Sequence, residues 1–244
     1  MTLALFLVDA LPAAAAFTLD GPEGRHAAAV RRLRVGEELL VSDGRGAVAR
    51  CAVAAAGRDS LDLTVVDRWT EPRPAPRVVV AQALAKGDRG ELAVELATEA
   101  GADAVVPWRA ARCVTKWDDG PRGEKALSRW RSTAREAAKQ ARRPWVPEVA
   151  DPVGLPGLIT LVGESSATLV LEAHMSTPLT EVALPETGDL VLVVGPEGGL
   201  ADHEIAALEA AGARSVRLGP SVLRTSTAAA VALGALGALT ERWR

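Results

Sequence analysis

The run Asp189-Leu190-Val191-Leu192-Val193-Val194 passes directly into Gly195-Pro196-Glu197-Gly198-Gly199-Leu200, and this stretch decides how the chain reads. Five consecutive aliphatic residues form the pattern of a strand buried on both faces, as in a parallel sheet. Glycines at the end of such a strand permit positive φ and let another group approach the backbone closely. Asp202 or a neighbour then opens a helix with Ile205, Leu208 and Ala211 at apolar spacing. Val216 and Leu218 read as the next strand. A Gly219-Pro220 turn follows it, and Thr225, Ser226 or Thr227 opens a second helix. Two tandem strand–loop–helix units place two loops at the carboxyl ends of a parallel sheet, where open α/β sheets bind ligands.

The first loop is not a phosphate cradle. A P-loop requires Gly-Lys-Ser/Thr, whereas Gly199 is followed by Leu200-Ala201, and Gly195-Pro196-Glu197-Gly198 lacks the G-x-G-x-x-G spacing. Glu197 would repel a pyrophosphate. A cationic or zwitterionic ligand suits the loop better, although glycine-rich turns after buried strands are also ordinary connections.

Outward from this core, helix and strand patterns alternate back to Arg77-Val78-Val79-Val80-Ala81-Gln82. Glu91 to Ala100 reads as a helix ended by Gly101, and Ala104 to Pro107 as a strand. Glu71-Pro72-Arg73-Pro74-Ala75-Pro76 reads as a linker. Residues 1–70 read as a separate β-rich unit, residues 71–76 as the linker, and residues 77–244 as the α/β domain. Within the first unit, Leu39-Leu40-Val41, Ala47 to Val53 and Leu61 to Val66 are short alternating strands. Asp43-Gly44-Arg45-Gly46 is a tight hairpin, and His26 to Arg34 a short helix.

Composition limits the functional classes. Cys51 and Cys113 lie far apart, and His26, His174 and His203 are scattered, so the sequence predicts reduced thiols and no metal site. The apolar start is broken by Asp9 and lacks a basic leader, and no run approaches a membrane span. The expectation is a soluble, cytoplasmic protein with no membrane partner. Net charge is −3, but its distribution is uneven. Residues 1–108 carry −3, residues 109–143 carry +7, and residues 144–244 carry −7. A basic block in an acidic chain is the electrostatic footprint of a nucleic-acid surface, or else a solvated helix face. The block includes a basic helix, Glu124 to Arg143, with Lys125, Arg129, Arg135, Lys139 and Arg143. Trp130 on it is expected to fill the core, since large aromatics are usually buried.

The two C-terminal motifs carry a resemblance. Gly195-Pro196-Glu197-Gly198-Gly199-Leu200, then Leu218-Gly219 and Val222-Leu223-Arg224-Thr225 with Thr227-Ala228, is similar to the SPOUT methyltransferases, and most closely to the RsmE-type 16S rRNA (uracil-N3)-methyltransferases. His26, Val30, Arg32, Gly36 and Asp43-Gly44 resemble the PUA-like N-terminal domain of that family. Lys86-Gly87-Asp88-Arg89, Thr98-Glu99, Arg112, Gln140, Arg143 and Val146-Pro147-Glu148 extend the likeness. The resemblance implies a knotted SPOUT α/β domain behind a PUA-like barrel, with S-adenosylmethionine as cofactor and 16S rRNA of the small ribosomal subunit as substrate. It implies cofactor contacts from Leu171, Glu172, Gly195, Pro196, Glu197, Gly198, Gly199, Leu218, Gly219, Leu223, Thr225, Thr227 and Ala228. It implies RNA contacts from Arg32, Lys86, Arg89, Arg112, Arg135 and Arg143. Departures also stand out: Thr2 and Ala4 replace a frequent basic residue, Lys139 a frequent Glu, Trp145 a frequent Arg, and Ser226 a frequent Glu.

On chemistry, uracil N3 is a poor nucleophile while it keeps its proton. The charge left on the flanking carbonyl oxygens suits a fixed guanidinium, which makes Arg224 the catalytic candidate. An ion pair between Arg224 and Glu197 is the structural alternative. The absence of His and Cys from the two loops argues against a covalent mechanism. Action on another base or a ribose 2′-oxygen, or a non-catalytic ribosome-associated role, are the alternative functions. The last helix, Ala228 to Leu239, is apolar on every face and predicts a homodimer, with Gly234, Ala235, Gly237 and Ala238 allowing close approach.

Overall fold

The computed structural model describes residues 3–243, so Thr2 lies outside the described residues. Two compact units emerge: Met1–Arg73 with Ala138–Val146, and Pro74–Ala137 with Pro147–Arg244. The division at Arg73 falls in the proline-rich stretch. Membership of residues 138–146 in the first unit was not expected from the sequence, which shows no compositional break there.

In the first unit, β1 (Leu5–Leu7), β2 (Ala16–Leu19), β3 (Glu38–Ser42), β4 (Ala47–Ala56) and β5 (Leu61–Thr70) form a sheet in the order β1-β3-β4-β5-β2. β1 and β3 run parallel and the other pairs antiparallel. Alternation along β4 sends Ala49, Cys51 and Val53 inward onto Phe6, Leu39, Val41, Leu61 and Leu63. The expected helix at His26–Arg34 is instead α1 (Gly21–Arg25) continuing into a π-helical turn, His26–Val30. Arg32, just beyond it, has φ +55°, a left-handed conformation that a non-glycine residue holds at a cost. Leu33 N–H bonds back to the carbonyl of Ala27, which the extra residue of the π-turn makes possible.

In the second unit, β6 (Arg77–Ala83), β7 (Ala104–Trp108), β8 (Glu148–Val149), β9 (Ala167–Leu171), β10 (Asp189–Val194) and β11 (Arg214–Val216) form a parallel sheet in the order β11-β9-β10-β6-β7-β8. β10 lies between β9 and β6, with Leu192 opposite both Leu169 and Val80. Period-two alternation divides the apolar run between the two faces. Leu190, Leu192 and Val194 pack with Val78 and Val80 against the helices α2 (Arg89–Glu99) and α6 (Thr225–Leu239). Val191 and Val193 pack with Val79 and Ala81 against α4 (Leu155–Glu164) and α5 (Asp202–Ala210). Both faces are covered, as a continuous apolar strand requires.

Helix α3 (Pro121–Gln140) covers most of the expected basic helix but ends at Gln140, so Arg143 lies beyond it. Trp130 is buried, packs edge-on against Trp117 and lies over Gly90, where a Cβ would meet its ring at 2.9 Å. Arg142, at φ +57°, turns the chain out of the helical path. Among the described residues, no helix is long and apolar enough to cross a membrane.

Candidate cofactor pocket and basic surface

The ends of β9, β10 and β11 lie side by side, so the loops that follow them converge. With the start of α6 they enclose a pocket of about 730 Å³, a size suited to a small organic ligand. Leu171, Glu172, Gly195 to Gly199, Leu218, Gly219, Leu223, Arg224, Thr225 and Ala228 all line it. Of the residues predicted for cofactor contact, Thr227 is the one outside this lining; its hydroxyl donates to the carbonyl of Arg224.

The glycine loop is held from several directions. Gly199 has φ +70°, a conformation that disfavours a side chain, and its N–H closes a turn on the carbonyl of Pro196 at 2.9 Å. Thr225 Oγ1 donates to the carbonyl of Gly195 at 2.7 Å and accepts from Gln82 Nε2 at 3.0 Å. Arg112 Nη1 donates to the carbonyls of Leu200 at 2.9 Å and Gly198 at 3.3 Å. Buried Glu204 bridges the next turn, its Oε1 accepting from Ala111 N–H at 2.7 Å and its Oε2 from Ala201 N–H at 2.9 Å. The last contact is half of a capping box, with Glu204 at the third position of α5.

Glu197 does not pair with Arg224. Its carboxylate accepts from Lys86 N–H at 3.0 Å and lies 3.7 Å from Arg89 Nη1. Arg224 is exposed at the pocket rim and makes no ion pair among the described residues. Arg89, Arg112 and Arg217 share the lining with Glu172, Glu197 and Asp202, so both signs of charge face one space. The donor set therefore fits a zwitterionic ligand carrying an apolar ring system.

Sequence reading missed Gln82 and Glu204. The signals were an amide inside an apolar strand and a Glu at the third helical position. Arg217, Asp202, His174 and Met175 also line the pocket with no motif to announce them.

The basic block is partly committed elsewhere. Arg109 pairs with Asp119, Arg129 with Glu91 and Arg131 with Asp151. Lys139 is largely buried, 2.7 Å from Glu23 and 3.0 Å from His26 Nδ1, so it is a packing residue of the first unit, contrary to its expected place on a phosphate-binding face. Arg122 and Lys125 are exposed on α3 without ion pairs among the described residues; Arg135 and Arg143 are half-buried. Arg32 is exposed, as are Arg31 and Arg34 beside it.

Comparison with known proteins agrees with this layout. Residues 71–237 match the family model of the RNA methyltransferase domain, and residues 19–66 that of the RNA methyltransferase PUA domain. The ribosomal RNA small subunit methyltransferase E of Mycobacterium bovis is 53% identical over all of this chain and 94% of its own length. The Bacillus subtilis protein of the same name is 33% identical over 93% of this chain and 92% of its own. A Legionella pneumophila methyltransferase solved with bound S-adenosylmethionine superposes with a TM-score of 0.86 at 26% identity, over 98% of this chain and 99% of that one. Family models that together reach from the β-rich unit through α6, and relatives matched end to end, lead to one conclusion: the chain belongs to the ribosomal RNA small subunit methyltransferase E family of RNA methyltransferases.

Proposed function

We propose that this protein methylates N3 of a uridine in 16S rRNA of the small ribosomal subunit, using S-adenosylmethionine. The observation that carries the reading is the Arg224 guanidinium, exposed and without an ion pair among the described residues, at the rim of a pocket built by the glycine loop. Bound S-adenosylmethionine supplies a methyl group already activated by its sulfonium, so positioning and desolvation carry much of the rate. Glu172 and Asp202 suit its cationic groups, and the arginines of the lining its carboxylate. Loop backbone groups hold the adenine. Arg224 meets the negative charge that spreads over the uracil carbonyl oxygens once N3 gives up its proton. A guanidinium already neutralised by Glu197 would be poorly placed to do so, and Glu197 is occupied by Lys86 and Arg89.

The RNA contacts in this reading come from Arg32 and Arg143 on the first unit, and from Lys86, Arg89, Arg112 and Arg135 on the second. Arg112 contributes through the loop it holds as well as through its charge. The trefoil knot of the SPOUT class and a cytoplasmic location belong to the same proposal. So does a homodimer through α6, supported by Val231 and Leu239, which are 46% and 47% exposed on that helix. Gly237 serves its own chain here, because a Cβ there would meet the Trp243 ring. Light scattering decides the dimer: a chain mass of 25.4 kDa in an active sample removes it. Incubating unmethylated small subunits with labelled S-adenosylmethionine tests the activity itself, and transfer of label to 16S rRNA is the expected result.

A further inference from the structure

The first unit contains a second concavity that the methyl-transfer reading leaves unused. It is a cleft of about 620 Å³ at the start of β4 and the end of β5, with Asp9, Leu11, Arg45, Val48, Arg68 and Trp69 among its walls. Trp69 is 38% exposed in a chain with few aromatics. Its indole N–H donates to Glu71 Oε2 at 3.1 Å. The main-chain carbonyl of the same Glu71 accepts the indole N–H of Trp145 at 3.0 Å. One residue thus fixes two tryptophans by their polar edges.

The cations around them are placed as well. The Arg73 guanidinium lies 4.1 Å from the centre of the Trp145 ring, a cation–π stack. Arg68 Nη2 donates to the carbonyl of Ala14 at 2.6 Å. Arg45 is exposed and makes no ion pair among the described residues. Its backbone bridges to Trp145, and Gly46 beside it has no room for a Cβ against that ring.

A held, exposed indole beside an unpaired guanidinium is the chemistry that binds unpaired nucleotides, with the base on the ring and the phosphate at the cation. The cleft does not suit a bare anion, because Asp9 and Asp43 also line it. Asp43 is committed to the hairpin, accepting from Arg45 N–H at 2.7 Å and Ala47 N–H at 3.2 Å. A base inside the cleft with its phosphate outside at Arg45 satisfies both signs.

We propose that Trp69 and Arg45 form a stacking site for an unpaired base of the RNA substrate, distinct from the nucleotide that is methylated. The proposal rests on the RNA-methylating function above. It is tested with the full-length protein and a fluorescently labelled single-stranded RNA dodecamer, alongside a duplex of the same sequence. Trp69→Ala should weaken single-strand binding by about fivefold or more, the effect of losing one stacked base, with duplex binding and melting temperature unchanged. Trp69→Phe should restore most of the loss, and Arg45→Ala should reduce binding and its salt dependence. Ultraviolet cross-linking should place the single strand on residues 68–70. If both alanine variants bind like the parent and cross-links fall only elsewhere, the stacking site is overturned while RNA binding stands. If the parent binds neither RNA, both readings fall.

Discussion

The hydroxyl of Thr225 donates to the carbonyl of Gly195 at 2.7 Å, tying the first residue of α6 to the first residue of the glycine loop. The same hydroxyl accepts from the buried amide of Gln82 at the end of β6. One side chain therefore joins three elements beneath the pocket. Thr225→Val keeps the shape and removes both bonds. We expect a loss of about 1–3 kcal/mol of stability, the usual cost of unmet buried polar groups, and weaker S-adenosylmethionine binding. Thr225→Ser should restore both. Urea unfolding and titration calorimetry read the two effects; a valine variant with parental affinity would separate this tie from the pocket.

Arg242 anchors the end of the chain. Its side chain is 6% exposed, with Nη1 2.8 Å from Asp103 Oδ2 and Nη2 2.6 Å from the carbonyl of Gly101. Nη1 also donates to the carbonyl of Pro76, and Asp103 accepts from Val78 N–H at 2.9 Å. Arg242→Ala would leave a buried carboxylate without this cation. Such losses cost about 3–5 kcal/mol, so the denaturant midpoint should fall markedly. A midpoint close to that of the parent would show that Arg242 is not a structural anchor.

Burial keeps the Cys51 thiol protonated, pushing its pKa from 9.0 up to about 11 against a smaller opposing effect of Arg68. Between those values the unfolded chain releases this proton while the folded chain retains it. Stability contributed by Cys51 is therefore present below pH 9 and lost as pH rises toward 11. Burial raises the Cys113 pKa as well, so it acts in the same direction. Unfolding free energies of the parent and Cys51→Ala, measured from pH 7 upward, should converge across that window. A constant difference would contradict the burial argument.

The second unit was legible where the sequence carries strong periodicity. Leu190 to Val194 reads as a two-faced strand because every position is apolar, and the glycines after it mark the loop. The π-helical turn at His26–Val30 was not legible, because over five residues its pattern matches that of an ordinary helix. The clamp of Arg112 on Gly198 and Leu200 joins residues far apart in the chain, which no local signal encodes. Lys139 shows the limit of charge counting: Arg122 and Lys125 on the same helix are exposed, while Lys139 reaches Glu23 and His26. The loop that carries Arg224 was legible in the sequence, but the engagement of Glu197 by Lys86 and Arg89 instead of Arg224 needed coordinates.

Mass spectrometry of 16S rRNA after reaction with unmethylated small subunits locates the transferred methyl group. Parent protein and Arg224→Ala should be compared at saturating S-adenosylmethionine. The expected result is one N3-methyluridine in 16S rRNA, and a fall in kcat of about a hundredfold or more for the variant with cofactor affinity retained. A methyl group on a ribose 2′-oxygen or another base, or a variant as fast as the parent, would contradict it.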